Sequence, residues 1–295
     1  MIYLIHIYRC LKKFCKFPLQ FISSLKNDIK KDYLSKKLKP GLNVLVLGLP
    51  KSGTTMIEEI LSEIGFVNQA NSVLRIFDNL KLSHHHDLSE KMLNKIPKLK
   101  NTFLKRHTKA TENNLKIIDK YNFKIFISTR NLLDVMISRY LHLSSDETQP
   151  QYRIYSKYDL LEGFKISLIK NHREKEIPIK IFEEWMEKWK KILLKKNFCL
   201  LNYDDYKKNN YMYFQKIFDY LEIDRHKIKP ILNHHLKIQK LLSKKTLKLN
   251  LKQNIYSRTY NFKSQSVRNI IKKDIDTINF FNNNVKYLYN KFNIN

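Results

Sequence analysis

Three things are scarce in this chain of 295 residues, and each scarcity excludes something. Cysteine is the first: Cys10, Cys15 and Cys199 are odd in number and never spaced as C-x-x-C. Neither a disulfide framework nor a zinc site is expected from them, and the pattern suits a reducing, cytoplasmic setting. Long apolar runs are the second, since no stretch reaches the roughly 18 residues that a membrane-spanning helix needs. Acidic residues are the third, with 27 Asp+Glu against 56 Lys+Arg and a formal net charge of +29. Such an excess invites a nucleic-acid or anionic-membrane partner. Yet only ten of the basic residues are arginines, and the lysines are scattered through a chain rich in Lys, Asn, Ile and Tyr. A compositional bias spread over every surface explains this, so no specific nucleic-acid partner is inferred. The charge should still steer anionic ligands.

What is present is enough apolar sequence, 43%, to fill the core of one α/β domain. Residues 1–40 read as a basic helical leader ahead of a domain over 41–295. Leu4, Tyr8, Leu11 and Cys15 share a helical face, Arg9, Lys12, Lys13 and Lys16 lie elsewhere, and Pro18 ends the pattern. Two readings stand: peripheral contact with a membrane through this basic helix, or a helix packed on the domain. The second is preferred.

The organising stretch is VLVLGLPKSGTTMIEEIL, residues 44–61. Asn43 to Leu49 is an apolar run of strand length between the Lys39-Pro40-Gly41 turn and Pro50. From Thr54 the spacing of Ile57, Ile60, Leu61 and Ile64 predicts a helix that stops at Gly65. Gly48 and Gly53 have the spacing of an ATP- or GTP-binding loop, but the lysine that should follow the second glycine is missing; Lys51 sits inside the loop instead. The N–H groups from Ser52 to Thr55 are expected to point into the loop at a helix N-terminus, a ready anion site, with Thr54 and Thr55 adding hydroxyls.

Further strands are expected at Thr102–Leu104, at Lys124–Thr129 and at FCLLNY, ending at Tyr203. Helical patterns run over LLDVMISRYLHL, about 157–171, 178–195 and around Phe214–Leu221, and the Lys/Asn-rich end after 225 reads as helical. Buried strands alternating with helices predict a single α/β domain whose central parallel sheet is flanked by helices, like the P-loop NTPases.

LPKSGTTM resembles the 5′-phosphosulfate loop of the sulfotransferases, P-K-[ST]-G-T-[TS]-W. ISTRNLLDVMISRY is similar to that family's R-N-P-x-D-x-x-x-S segment, with Arg130, Asn131, Asp134 and Ser138 matching and Leu132 in place of proline. Lys105-x-His107 resembles the K-T-H of the cytosolic, hydroxyl-sulfating branch, and LNYDDY the Y-E-D-L strand end, giving Tyr203 and Asp204. The order and spacing agree over roughly residues 42–225. The resemblance implies a transferase that moves a sulfuryl group from 3′-phosphoadenosine-5′-phosphosulfate (PAPS), its co-substrate, to an acceptor hydroxyl or, less readily, an amine. It implies Lys51 near the leaving 5′-phosphate, Lys105 near the sulfuryl group, and Arg130 and Ser138 on the 3′-phosphate. Lys51, Ser52, Gly53, Thr54, Thr55 and Tyr203 complete the nucleotide contacts.

Two departures stand out: Met56 replaces the tryptophan that faces adenine, and R-K-G-x-x-G is absent. Arg258, Lys263 and Arg268 are the candidates to replace the latter.

The chemistry suits these residue types. Transfer passes through a loose, in-line transition state whose charge is met by fixed cations and N–H donors. No metal ion is required, because lysines supply the charge that Mg²⁺ gives a kinase. The acceptor proton needs a base: His107 is the candidate, and Glu58 or Glu59 are the carboxylate alternatives. Three features are read as structural: His84-His85-His86, Asp87-Leu-Ser-Glu90 as a capping box, and Trp185 with Trp189 as packing. A kinase with a degenerate loop, and a basic nucleic-acid- or membrane-binding protein on a dead nucleotide fold, are the rival readings. The acceptor itself is not legible.

Overall fold

A computed structural model describes residues 41–68, 87–93, 101–145, 147, 149–171, 177–193, 197–237, 239–240 and 261–285. The expected leader over 1–40, the histidine triplet 84–86 and Arg258 lie outside them.

Strand β1 (Asn43–Gly48) runs through the middle of the domain, followed by α1 (Thr54–Ile64), β2 (Val67–Asn68) and the short α2 (Glu90–Leu93). Then come β3 (Thr102–Arg106), α3 (Glu112–Lys120), β4 (Lys124–Thr129), α4 (Leu132–Ser145), α5 (Tyr152–Tyr155), α6 (Leu160–Ile169) and α7 (Pro178–Leu193). Strand β5 (Phe198–Asn202) leads into α8 (Tyr203–Lys208) and α9 (Asn210–Tyr220). Residues 228–237 form helix α10, and the C-terminal pair is α11 (Asn261–Lys273) and α12 (Ile275–Asn284).

The five strands are ordered β2-β3-β1-β4-β5 and every pairing is parallel. Strand alternation divides the core into two layers. Val44, Val46, Phe103 and Phe126 face one layer with Ile57, Ile60, Phe214 and Phe218 from α1 and α9. Leu45, Leu47, Leu104, Ile125 and Ile127 face the other, against Met136, Phe164, Trp185 and Trp189. A parallel sheet buried on both faces reads as continuous apolar strands, and that is why β1 and β4 stand out in the sequence.

Several expectations need correction. The sheet has a fifth strand, β2, whose two residues are too short to carry an alternating pattern. FCLLNY does not end at Tyr203: the Asn202 side chain accepts the Asp204 N–H and so caps a helix that begins at Tyr203. Asp87 does not start a capping box either. Its Oδ1 accepts from Thr108 Oγ1 and from Asn114 Nδ2, each at 2.7 Å, and α2 begins only at Glu90. Helix α3, unforeseen in the sequence, opens on Thr111, whose hydroxyl accepts the Asn114 N–H.

Candidate active site

The C-terminal ends of β1, β3 and β4 lie side by side, the place where open parallel sheets gather ligands. At the end of β1 the chain turns sharply. Lys51 adopts φ 72° and Gly53 φ 108°, so two of three consecutive loop residues are left-handed. Glycine is required at 53 for a second reason: a Cβ there would stand 2.7 Å from Cδ2 of Tyr203. Ser52 does not behave as the sequence suggests. Its N–H and its hydroxyl both donate to the Leu49 carbonyl, at 3.1 and 2.7 Å, and the residue is buried. Ser52 therefore closes the loop from beneath, and its carbonyl accepts from Ser128 Oγ at 2.9 Å.

The amides of Thr54 and Thr55 open α1 and precede its first N–H groups to bond back, those of Met56 and Ile57 to the Gly53 carbonyl. This helix has no capping side chain and no acidic residue in its first turn. Its positive end is left for an anion. Thr55 is exposed, Lys51 half-buried and Thr54 buried.

Strand β3 delivers the next two residues. His107, just past its end, donates from Nδ1 to the Gly48 carbonyl at 2.5 Å. A carbonyl can only accept, so the proton is on Nδ1 and the lone pair of the neutral ring is on Nε2. The backbone after it is pinned: the Thr108 carbonyl accepts from Trp185 Nε1 at 2.7 Å and Trp189 Nε1 at 3.0 Å. The two tryptophans pack, as their spacing predicts, and also hold the segment that carries His107. Lys105 is buried and its ammonium is 2.5 Å from Glu58 Oε2. Glu58 also accepts from the buried Asn68 through its other oxygen. Glu59 turns elsewhere, accepting from Gln239 Nε2 at 2.5 Å.

Strand β4 brings Arg130 to the loop. Its Nη1 donates to the Lys51 carbonyl at 3.3 Å, and its guanidinium lies 4.8 Å from the Tyr203 ring centre. The buried Nε of Arg130 has no hydrogen-bond partner among the described residues. Next to it, Asn131 receives the amide of Asp134 on its side chain and donates its own N–H to Asp204 Oδ2 at 3.2 Å. Asp204 thus ties α8 to the turn that aims Arg130. Ser138, half-buried, lies one turn beyond Asp134 on α4.

The sulfotransferase domain family matches the chain over residues 42–289. The chain belongs to that family. No curated protein matches it. Among solved structures it is similar to mouse sulfotransferase SULT7A1 complexed with PAP, at 18% identity over 67% of this chain and 65% of that one, TM-score 0.44. It is likewise similar to retinol dehydratase in a complex with retinol and PAP, at 15% identity over 68% and 66%, TM-score 0.43. Both matches span just under two thirds of the solved chain's length.

Within this sulfotransferase domain, C-terminal elements pack against both places where the motifs depart from the family pattern. Met56 does not stand alone: its Sδ lies 3.2 Å from Nε2 of His235, a fully buried residue whose Nδ1 donates to Glu63 Oε1 at 2.8 Å. Helix α10 is thereby packed on α1. Of the three basic candidates, Arg268 reaches the Arg130 region, donating to Asp134 Oδ1 at 3.2 Å, with Lys272 on the same carboxylate at 3.0 Å. Asp134 is thus paired with Arg268 and Lys272. Burial raises the Asp134 carboxyl, but the Lys272 hydrogen bond and the charges of Lys272, Arg130 and Arg268 outweigh it and hold it below the usual carboxylate range. Burial first, and Arg130 second, lower the Arg268 guanidinium from its ordinary value.

The Asp87–Thr108–Asn114 network and the Glu58–Lys105–Asn68 cluster carry no sequence signal, because their members come from separate elements. Among the described residues no group of three or more His, Cys, Asp or Glu could hold a metal ion. No described helix is long and apolar enough to cross a membrane.

Proposed function

We propose that the chain transfers a sulfuryl group from PAPS to an acceptor hydroxyl. The observation that carries this reading is the meeting of Lys51 with Arg130: a lysine at the front of an uncapped helix loop, and a guanidinium that reaches that loop's own carbonyl. Two cations brought to one uncapped helix loop suit a nucleotide that carries more than one phosphate.

In this reading the 5′-phosphosulfate rests on the amides of Thr54 and Thr55 with Lys51 at the leaving oxygen, while Ser52 shapes the loop. Arg130 and Ser138 take the 3′-phosphate, and Tyr203 borders the nucleotide. The acceptor oxygen attacks sulfur in line as its proton passes to Nε2 of His107. The bond from sulfur to the 5′-phosphate oxygen breaks, and its electron pair stays on that oxygen. Charge on the leaving and equatorial oxygens is met by Lys51, Lys105 and the helix N-terminus, where fixed dipoles and cations act without reorganising. His107 is favoured over the carboxylates because both Glu58 oxygens already accept hydrogen bonds and Glu59 is engaged by Gln239.

Thermal melts test the assignment without an acceptor. A ligand that binds only the folded state stabilises it by about 2.7 kcal/mol at a hundredfold excess over Kd. Adenosine 3′,5′-bisphosphate should raise the melting temperature clearly, AMP much less, and ATP little. Arg130→Ala should erase most of the difference between bisphosphate and AMP, and Lys51→Ala should weaken both. A response to ATP with Mg²⁺ and none to the bisphosphate would mean a kinase.

A further inference from the structure

The catalytic reading leaves one charged cluster unexplained. Lys105, assigned to the sulfuryl group, has its ammonium on a carboxylate, 2.5 Å from Glu58 Oε2. The side chains are 11% and 16% exposed, so this is a pair largely withdrawn from water. Glu58 is itself fixed: its Oε1 accepts from Asn68, a buried residue of β2 that is in register with Phe103 of β3. Its backbone belongs to α1, the helix whose N-terminus opens the anion loop.

The electrostatics of the site explain why a carboxylate should stand there. Lys51, Lys105 and the positive end of α1 are sources of the same sign gathered for one anion. While that anion is away, an ammonium as buried as that of Lys105 is costly unless an opposite charge meets it. A carboxylate donated to on both oxygens is also badly arranged to take a proton from an acceptor. Its geometry is that of an anchor.

We propose that Glu58 is a positioning residue: it neutralises and aims Lys105 in the nucleotide-free enzyme, and surrenders the ammonium to the sulfuryl oxygens when PAPS arrives. This rests on the sulfotransferase reading above. PAPS must compete with Glu58 Oε2 for Lys105, so part of its binding energy goes to breaking the pair, whereas adenosine 3′,5′-bisphosphate, which has no sulfuryl group, leaves the pair intact. Glu58 thus sets the enzyme's preference between its loaded and spent nucleotide.

Titration calorimetry with PAPS and with the bisphosphate, neither needing an acceptor, reads this directly. Glu58→Gln keeps the shape and the contact to Asn68 but removes the charge, and should tighten PAPS by about three- to tenfold while moving the bisphosphate less than about twofold. In a Lys105→Met background the same substitution should change the ratio of the two affinities by less than about twofold, because the partner through which it acts is gone. Asn68→Ala, which frees one Glu58 oxygen, should shift the ratio the same way by less, and serves if Glu58→Gln does not fold. A purely structural role would move both ligands together. Equal shifts, weaker PAPS binding, or an effect that survives Lys105→Met would overturn the proposal. Failure of the wild type to bind the bisphosphate would overturn the sulfotransferase reading, and this proposal with it.

Discussion

His107, the base in the proposed reaction, shows how much a single hydrogen bond can set. Donation from Nδ1 to the Gly48 carbonyl fixes the tautomer, so the ring's basic nitrogen is Nε2. The same bond links the histidine to the strand that leads into the anion loop. The imidazole ring and the loop are therefore tied to one another. His107→Ala should lower turnover by roughly two to four powers of ten while bisphosphate binding stays nearly intact, as steady-state rates and titration would show. Unchanged turnover would remove His107 as the base, and the anchored Glu58 would have to be reconsidered.

At the scale of elements, the site is assembled by helices reaching across the sheet ends. Helix α7 contributes two indole N–H groups to one carbonyl at residue 108. Helix α11 contributes Arg268 and Lys272 to Asp134 of α4, beside Arg130. The second arrangement carries a pH dependence. The folded Asp134 carboxyl is held below its unfolded value of 3.8, so its contribution to stability is present above that value and is lost as pH falls through the folded pKa. Asp134→Asn should cost about 2 kcal/mol at neutral pH, the worth of hydrogen bonds to a charged group. It should also flatten the acid limb of the stability curve below about pH 4. Chemical unfolding at pH 3 and pH 7 checks both; a variant as acid-sensitive as the wild type would show that the clamp does not hold α11.

For the whole molecule, the governing quantity is charge. The chain carries a net +29, and in the proposed reaction lysines rather than a bound cation meet the charge of the transferring group. Transfer should therefore run at full rate in EDTA, with labelled PAPS and mass detection on pooled acceptors as the readout. A strict Mg²⁺ requirement would revive the kinase reading. The excess of lysine alone says little about partners, since exposed charges more than a Debye length apart, about 8 Å at physiological salt, are screened from one another.

Local pattern was enough for much of what depends on neighbours in the chain, though not for α3 or the Asn202 cap. The apolar runs of β1 and β4, the stop of α1 at Gly65, and the displaced lysine in the loop are all contiguous, so periodicity and spacing carry them. Contiguity also made Arg130 through Ser138 legible as one segment. Where backbone geometry or burial decides the partner, the pattern was silent or misleading. Ser52 looked like a loop donor, yet its N–H is spent on Leu49, because the left-handed residues on either side turn it inward. Asp87 looked like a helix cap, yet its carboxylate is taken by buried Thr108 and Asn114 and α2 begins only at Glu90. Glu58 was legible only as an alternative base until β3 brought Lys105 to it and β2 brought Asn68. Arg268 was one of three possible cations until α11 set it on Asp134. The sequence by itself determined the glycine loop, the strands β1 and β4 and the helix α1, because those follow from short-range spacing. Only the tertiary structure decided which charges meet, because pairing depends on burial and distance that no local pattern encodes.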